Sequence, residues 1–164
     1  MRVDGGCRYV FQMASSGTRS TVHVLLVEDN ADLRALYSEA LRASGLIVDE
    51  VESVEGALRF AARLPPDLVL LDRGLPDGDG WRVARSLKAD EATRHVPIVA
   101  FTSHRERADV EVALVAGCDA FLEKGCSTEA LVRHVRGMLG LPLDTVDEHA
   151  VLITARTRRV SALS

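Results

Sequence analysis

The chain has 164 residues, which at roughly 150 residues per domain implies one domain with modest extensions. Hydrophobic residues make up 47% and charged residues 27%, a balance that excludes a wholly disordered or fibrous chain, and aromatics at 4% leave the core to Val, Leu and Ala. With 20 Lys and Arg against 24 Asp and Glu, the formal net charge of -4 provides no global basic field for nucleic acid or an anionic membrane, so no DNA binding is expected.

No stretch approaches the roughly 18 to 20 uninterrupted apolar residues of a membrane span. Residues 1–20 contain no apolar run of signal-peptide type and are rich in Gly and Ser, so they read as a mobile arm, with Met13 as an alternative start. Cys7, Cys118 and Cys126 form no C-x-x-C pair and no even framework, which suits a reducing compartment; the expected address is the cytoplasm.

From residue 22 the pattern becomes periodic. The run VHVLLV (22–27) reads as a strand, and a helix follows from Asn30 as N-cap, with Leu33, Leu36, Tyr37, Ala40 and Leu41 at helical spacing and Gly45 as its stop. IVDEV (47–51) is strand-like, and Ser53 opens a helix through Leu58, Ala61 and Leu64 that Pro65 and Pro66 end. DLVLLD (67–72) reads as a buried strand, RGLPDGDG as a loop and WRVARSLKAD as a helix. VPIVAFT (96–102) precedes a helix from about residue 105 to 116, and AFLEK (120–124) precedes the last, residues 127–139.

Short, nearly continuous apolar strands alternating with helices predict an α/β fold: a doubly wound, flavodoxin-like, five-stranded parallel sheet of order 2-1-3-4-5 with helices on both faces. Such a sheet gathers its functional groups at the carboxyl ends of its strands. Those ends carry Glu28 and Asp29, then Asp72, Thr102 and Lys124; the second strand offers nothing comparable. Each alone reads as a cap or turn residue, but together they form a coherent set. Three carboxylates repel unless a cation neutralises them, and hard oxygen donors suit Mg²⁺, whereas no His or Cys stands in Zn²⁺-ligand spacing. A lysine and a hydroxyl complete a cradle for a phosphoryl group, with the central Asp72 as its nucleophile.

The segments VLLVEDN, LVLLDRGLPDGDG, PIVAFTS and AFLEKG, in this order and spacing, resemble the receiver domain of two-component response regulators, including the stand-alone chemotaxis type. The resemblance covers about residues 22–140. It implies a receiver domain over 21–140 between the arm (1–20) and a tail (141–164) too short for an output domain. It implies that Asp72 accepts a phosphoryl group from a phosphohistidine, supplied by a histidine kinase or a histidine phosphotransfer protein. Mg²⁺ would be held by Glu28, Asp29, Asp72 and the backbone carbonyl of Gly74; Lys124 would pair with the phosphoryl oxygens, and Thr102 would donate its hydroxyl to one. Phe121 takes the place of the switch aromatic, and Ser103 leaves room beside the phosphoryl group.

The implied protein is a phosphoacceptor and not an enzyme in the ordinary sense, with Mg²⁺-dependent self-phosphorylation and self-dephosphorylation, that signals to a downstream protein target. A phosphorelay intermediate and a phosphorylation-independent binding module are the alternatives, and homodimer formation stays open. An aspartyl-phosphate phosphatase is disfavoured because Gly74 stands where a second acid is wanted, and no phosphate-binding glycine loop follows the first strand. One departure bears on the site: the family usually places proline after the lysine, and here Gly125 stands there. His104 reads as a surface group at a helix start, Cys126 as an inert thiol and Trp81 as a packing residue.

Overall fold

The computed structural model of the chain describes residues 21–103 and 107–143. The expected arm, His104 and residues 144–164 of the expected tail lie outside the described residues.

Five strands form one parallel sheet: β1 (His23–Val27), β2 (Ile47–Val51), β3 (Leu68–Leu71), β6 (Ile98–Thr102) and β7 (Ala120–Glu123), ordered β2-β1-β3-β6-β7. Two short strands, β4 (Gly74–Leu75) and β5 (Gly78–Asp79), pair with each other; without them the order is the expected 2-1-3-4-5. The helices are α1 (Ala31–Ala43), α2 (Val54–Arg63), α3 (Trp81–Ala89), α4 (Arg107–Val115) and α5 (Thr128–Met138). None of the helices among the described residues is long and apolar enough to cross a membrane.

The apolar runs are continuous because both faces of the central strands are covered. Leu25, Val27, Val69, Leu71, Ile98 and Ala100 face one core with residues of α2, α3 and α4, including Trp81. The alternate residues Val24, Leu26, Leu68, Leu70, Val99 and Phe101 face the other with Tyr37, Leu41, Leu131 and Val135 of α1 and α5. β2 lies at the sheet edge, where Ile47 is partly exposed and Asp49 and Glu50 interrupt the run.

Local signals fix where the helices begin. The Asn30 side chain accepts from the amides of Asp32 and Leu33, both at 3.0 Å, and Ser53 and Ser127 cap α2 and α5 in the same way. α2 has a second cap from far along the chain: the Asp77 carboxylate accepts from Val54 N at 2.7 Å and Glu55 N at 2.9 Å.

Two expectations are revised. The segment read as a loop contains the β4–β5 hairpin, which forms because Leu75 is buried while Asp77 is tied to α2. In α1, Leu36 is exposed and Ser38 is buried, since the stripe that meets the sheet runs through Tyr37, Ser38 and Leu41. Beyond α5, Leu141 packs on the α1–α5 core, and Pro142 O accepts from Arg136 Nε at 2.8 Å and Nη2 at 2.6 Å. Arg136 is buried, and its third contact, Nη1 to Ser44 O, joins α5 to the end of α1.

Candidate functional site

The parallel ladder extends one residue beyond the strand ends and places the site. Glu28 N donates to Val51 O at 3.0 Å, Asp72 N to Val27 O at 3.0 Å and Lys124 N to Thr102 O at 3.0 Å. Glu28 and Asp72 are buried and Asp29 is exposed, so the cluster has a wet side and a dry side.

Lys124 crosses the cleft. Its Nζ stands 2.5 Å from Glu28 Oε2 and 2.9 Å from Asp72 Oδ2, with its side chain 9% exposed. Burial pushes the Glu28 carboxyl above its ordinary value, and the Lys124 ammonium only partly offsets this. The same burial disfavours the charged ammonium, but hydrogen bonds to Asp72 and Glu28 prevail and hold the Lys124 pKa above its usual value. Gly125 does not misplace the lysine. It adopts φ +102°, a left-handed turn open to glycine, and Lys124 still reaches both carboxylates.

Glu28, Asp29 and Asp72 each offer a carboxylate oxygen, all within 4.8 Å of one another. With Lys124 they leave two negative charges uncompensated. Hard oxygen donors, one on the solvent side, fit a Mg²⁺ ion that keeps part of its water shell. Gly74, two residues beyond Asp72, is exposed, and a Cβ there would meet nothing within 4 Å. Thr102 is fully buried at the end of β6, and Ser103 beside it is exposed. Phe121 is half-buried against the α2–α4 side of the core.

Several further residues support the site without being singled out by the sequence reading. Gly80 N donates to Arg73 O at 2.8 Å, and a Cβ on Gly80 would stand 2.0 Å from Asp72 O. Arg34 Nη1 donates to the backbone carbonyls of Glu28 at 2.7 Å and Asp29 at 3.3 Å. Arg73, next to Asp72, forms an ion pair with Asp109 of α4. Arg73 and Gly80 lie in the quoted segment LVLLDRGLPDGDG, and Arg34 stands one turn into α1. Of the weaker candidates, Trp81 is fully buried as packing, and burial pushes the Cys126 thiol up, which leaves it a poor nucleophile.

The model of the response regulator receiver domain family matches residues 24–136, and the chain belongs to that family. It is 34% identical over 120 residues to the polar-differentiation response regulator DivK of Brucella ovis, covering 73% of this chain and 98% of DivK. The receiver domain of the sensor histidine kinase PA1611 from Pseudomonas aeruginosa, solved with magnesium coordinated in its active-site cleft, is 34% identical. It superposes with a TM-score of 0.69, covering 73% of this chain and 98% of that one. The chemotaxis protein CheY4 of Vibrio cholerae, at 20% identity, shares the fold with a TM-score of 0.69 over 72% of this chain and 98% of its own.

Proposed function

We propose that the protein is a single-domain response regulator whose Asp72 accepts a phosphoryl group from a phosphohistidine with Mg²⁺ bound. The observation that carries this reading is Lys124 Nζ held between Glu28 and Asp72, with Asp29 completing the acidic cluster. The magnesium-bound receiver from Pseudomonas aeruginosa supports the choice of cation.

A carboxylate oxygen of Asp72 attacks phosphorus, the P–N bond breaks, and the histidine nitrogen keeps the bonding pair and its imidazole leaves. Glu28, Asp29, Asp72 and the Gly74 carbonyl would hold Mg²⁺, which when bound would supply positive charge against the phosphoryl oxygens. Lys124 leaves its pairing with Asp72 for a phosphoryl oxygen, and the Thr102 hydroxyl donates to another. Water reaches the acyl phosphate past Gly74, where no side chain stands in the way, so self-dephosphorylation follows from the same site.

Output passes through protein contacts in the cytoplasm. Thr102 and Phe121 respond to the phosphoryl group, and the Arg73–Asp109 pair joins the acceptor's neighbour to α4. Near-complete switching requires about 5.5 kcal/mol of differential stabilisation, within reach of a dianion meeting a metal, an ammonium and a hydroxyl. The reading is tested by mixing the protein with an autophosphorylated histidine kinase bearing labelled phosphate. Label should move to the protein with Mg²⁺ and stay on the kinase with a chelator; transfer indifferent to the metal would overturn the assignment.

A further inference from the structure

The second strand contributes no group to the cleft, yet its acids reach the site through one arginine. Arg34 lies one turn into α1 with its side chain 18% exposed. Its Nη1 donates to Glu28 O at 2.7 Å and Asp29 O at 3.3 Å. The guanidinium is held in turn from β2 and the residue after it, with Nε 3.6 Å from Glu50 Oε2 and Nη2 3.7 Å from Glu52 Oε2. Glu50 is itself anchored by Arg42 Nη2 at 2.7 Å, which also donates to Val48 O at 2.8 Å.

We infer that Arg34 is a positioning residue that fixes the backbone of the two acids at the end of β1 and so sets their affinity for a divalent cation. This rests on the magnesium site proposed above. Two consequences follow from the geometry. The guanidinium charge lies on the carbonyl side of Glu28 and Asp29, so a cation is better met by their carboxylates. The segment 28–30 is also held from both sides: Glu28 N bonds to Val51 O, and Asn30 N bonds to Glu28 Oε1 at 3.1 Å. Freed of Arg34, the segment keeps its ladder bond and its cap but loses the tie on the two carbonyls. Those carbonyls belong to the peptide units that lead into Asp29 and Asn30. A lysine cannot reproduce the fork, because one ammonium cannot span two carbonyls and two glutamates.

The test uses the full chain carrying Arg34→Gln, Arg34→Lys or the pair Glu50→Gln and Glu52→Gln, against the unchanged protein. In metal-free protein, exchange of the Asn30 amide should accelerate about tenfold in Arg34→Gln, the scale of a hydrogen bond to a charged group. Calorimetric titration with Mg²⁺ alone should show Kd raised about tenfold, as for other residues that orient metal ligands. Arg34→Lys should fall between Arg34→Gln and the unchanged protein. The glutamate pair, which retains Arg34 and guards against a misfolded arginine variant, should move both readouts about two- to fivefold in the same direction. Exchange and Mg²⁺ affinity equal to those of the unchanged protein in Arg34→Gln, or in the glutamate pair if Arg34→Gln does not fold, would overturn the inference. If the unchanged protein binds no Mg²⁺, the proposed metal site falls, and the exchange measurement still decides whether Arg34 fixes the segment.

Discussion

Gly80 and Asp72 are in backbone contact: a Cβ built on Gly80 would stand 2.0 Å from the Asp72 carbonyl oxygen and 3.0 Å from its carbonyl carbon. The atoms in the way are backbone, which no rotamer change can clear. Gly80 has an ordinary helical φ of -54°, so its requirement is space and not conformation. The turn that launches α3 therefore closes directly onto Asp72, the proposed acceptor.

Gly80→Ala should displace the Asp72 backbone or unwind the first turn of α3, lowering stability by at least about 1 to 3 kcal/mol. Gly74→Ala, made in open space, should change stability little. Urea titrations of the two variants check the contrast; equal midpoints would show that the Gly80 contact relaxes without cost.

The strands were legible because Val24–Val27 and Leu68–Leu71 are buried on both faces, and Glu28, Asp29, Asp72, Thr102 and Lys124 could be placed because they stand at or within two residues of a strand's end. Asn30 and Ser53 announced their helices because capping is local. Gly80, Asp77 and Arg136 were not legible as they act: a steric approach to Asp72, a cap on a helix 23 residues upstream and a buried clamp on Pro142 depend on tertiary proximity. Leu36, read as part of the helical stripe, is exposed while Ser38 is buried, because helical spacing defines a stripe without fixing which edge of it meets the sheet.

Asp29 shares the cleft with two other carboxylates and lies on its solvent side. Asp29→Asn removes one like charge, so the melting temperature of the metal-free protein should hold or rise while Mg²⁺ affinity falls. Thermal melts with and without Mg²⁺ check both halves. A marked loss of metal-free stability would mark Asp29 as a structural partner instead.

Asp77 supplies the pH prediction. Its carboxyl is held below the ordinary value of 3.8, first by the Glu55 amide and then by the Val54 amide. A depressed folded pKa means its contribution is fully present above about pH 4 and is lost as pH falls through the folded value. Acid melts should therefore show a limb below the ordinary carboxylate range that Asp77→Asn removes. An unchanged acid limb would mean that the cap does not couple to folding.

The close of α5 is the remaining structural prediction. A chain ending at residue 140 deprives the buried Arg136 of the Pro142 carbonyl, whereas one ending at 143 keeps it. The shorter chain should be less stable by about 1 to 3 kcal/mol, the scale of losing an acceptor from a charged donor. Equal denaturant midpoints for the two would show that water replaces Pro142.

The central claim is that Asp72 is the acceptor, and the most direct measurement is intact-mass analysis after incubation with acetyl phosphate and Mg²⁺. The unchanged protein should gain one base-labile phosphoryl group, and Asp72→Asn should gain none. Labelling that survives in Asp72→Asn, or that maps to another residue, would contradict the account.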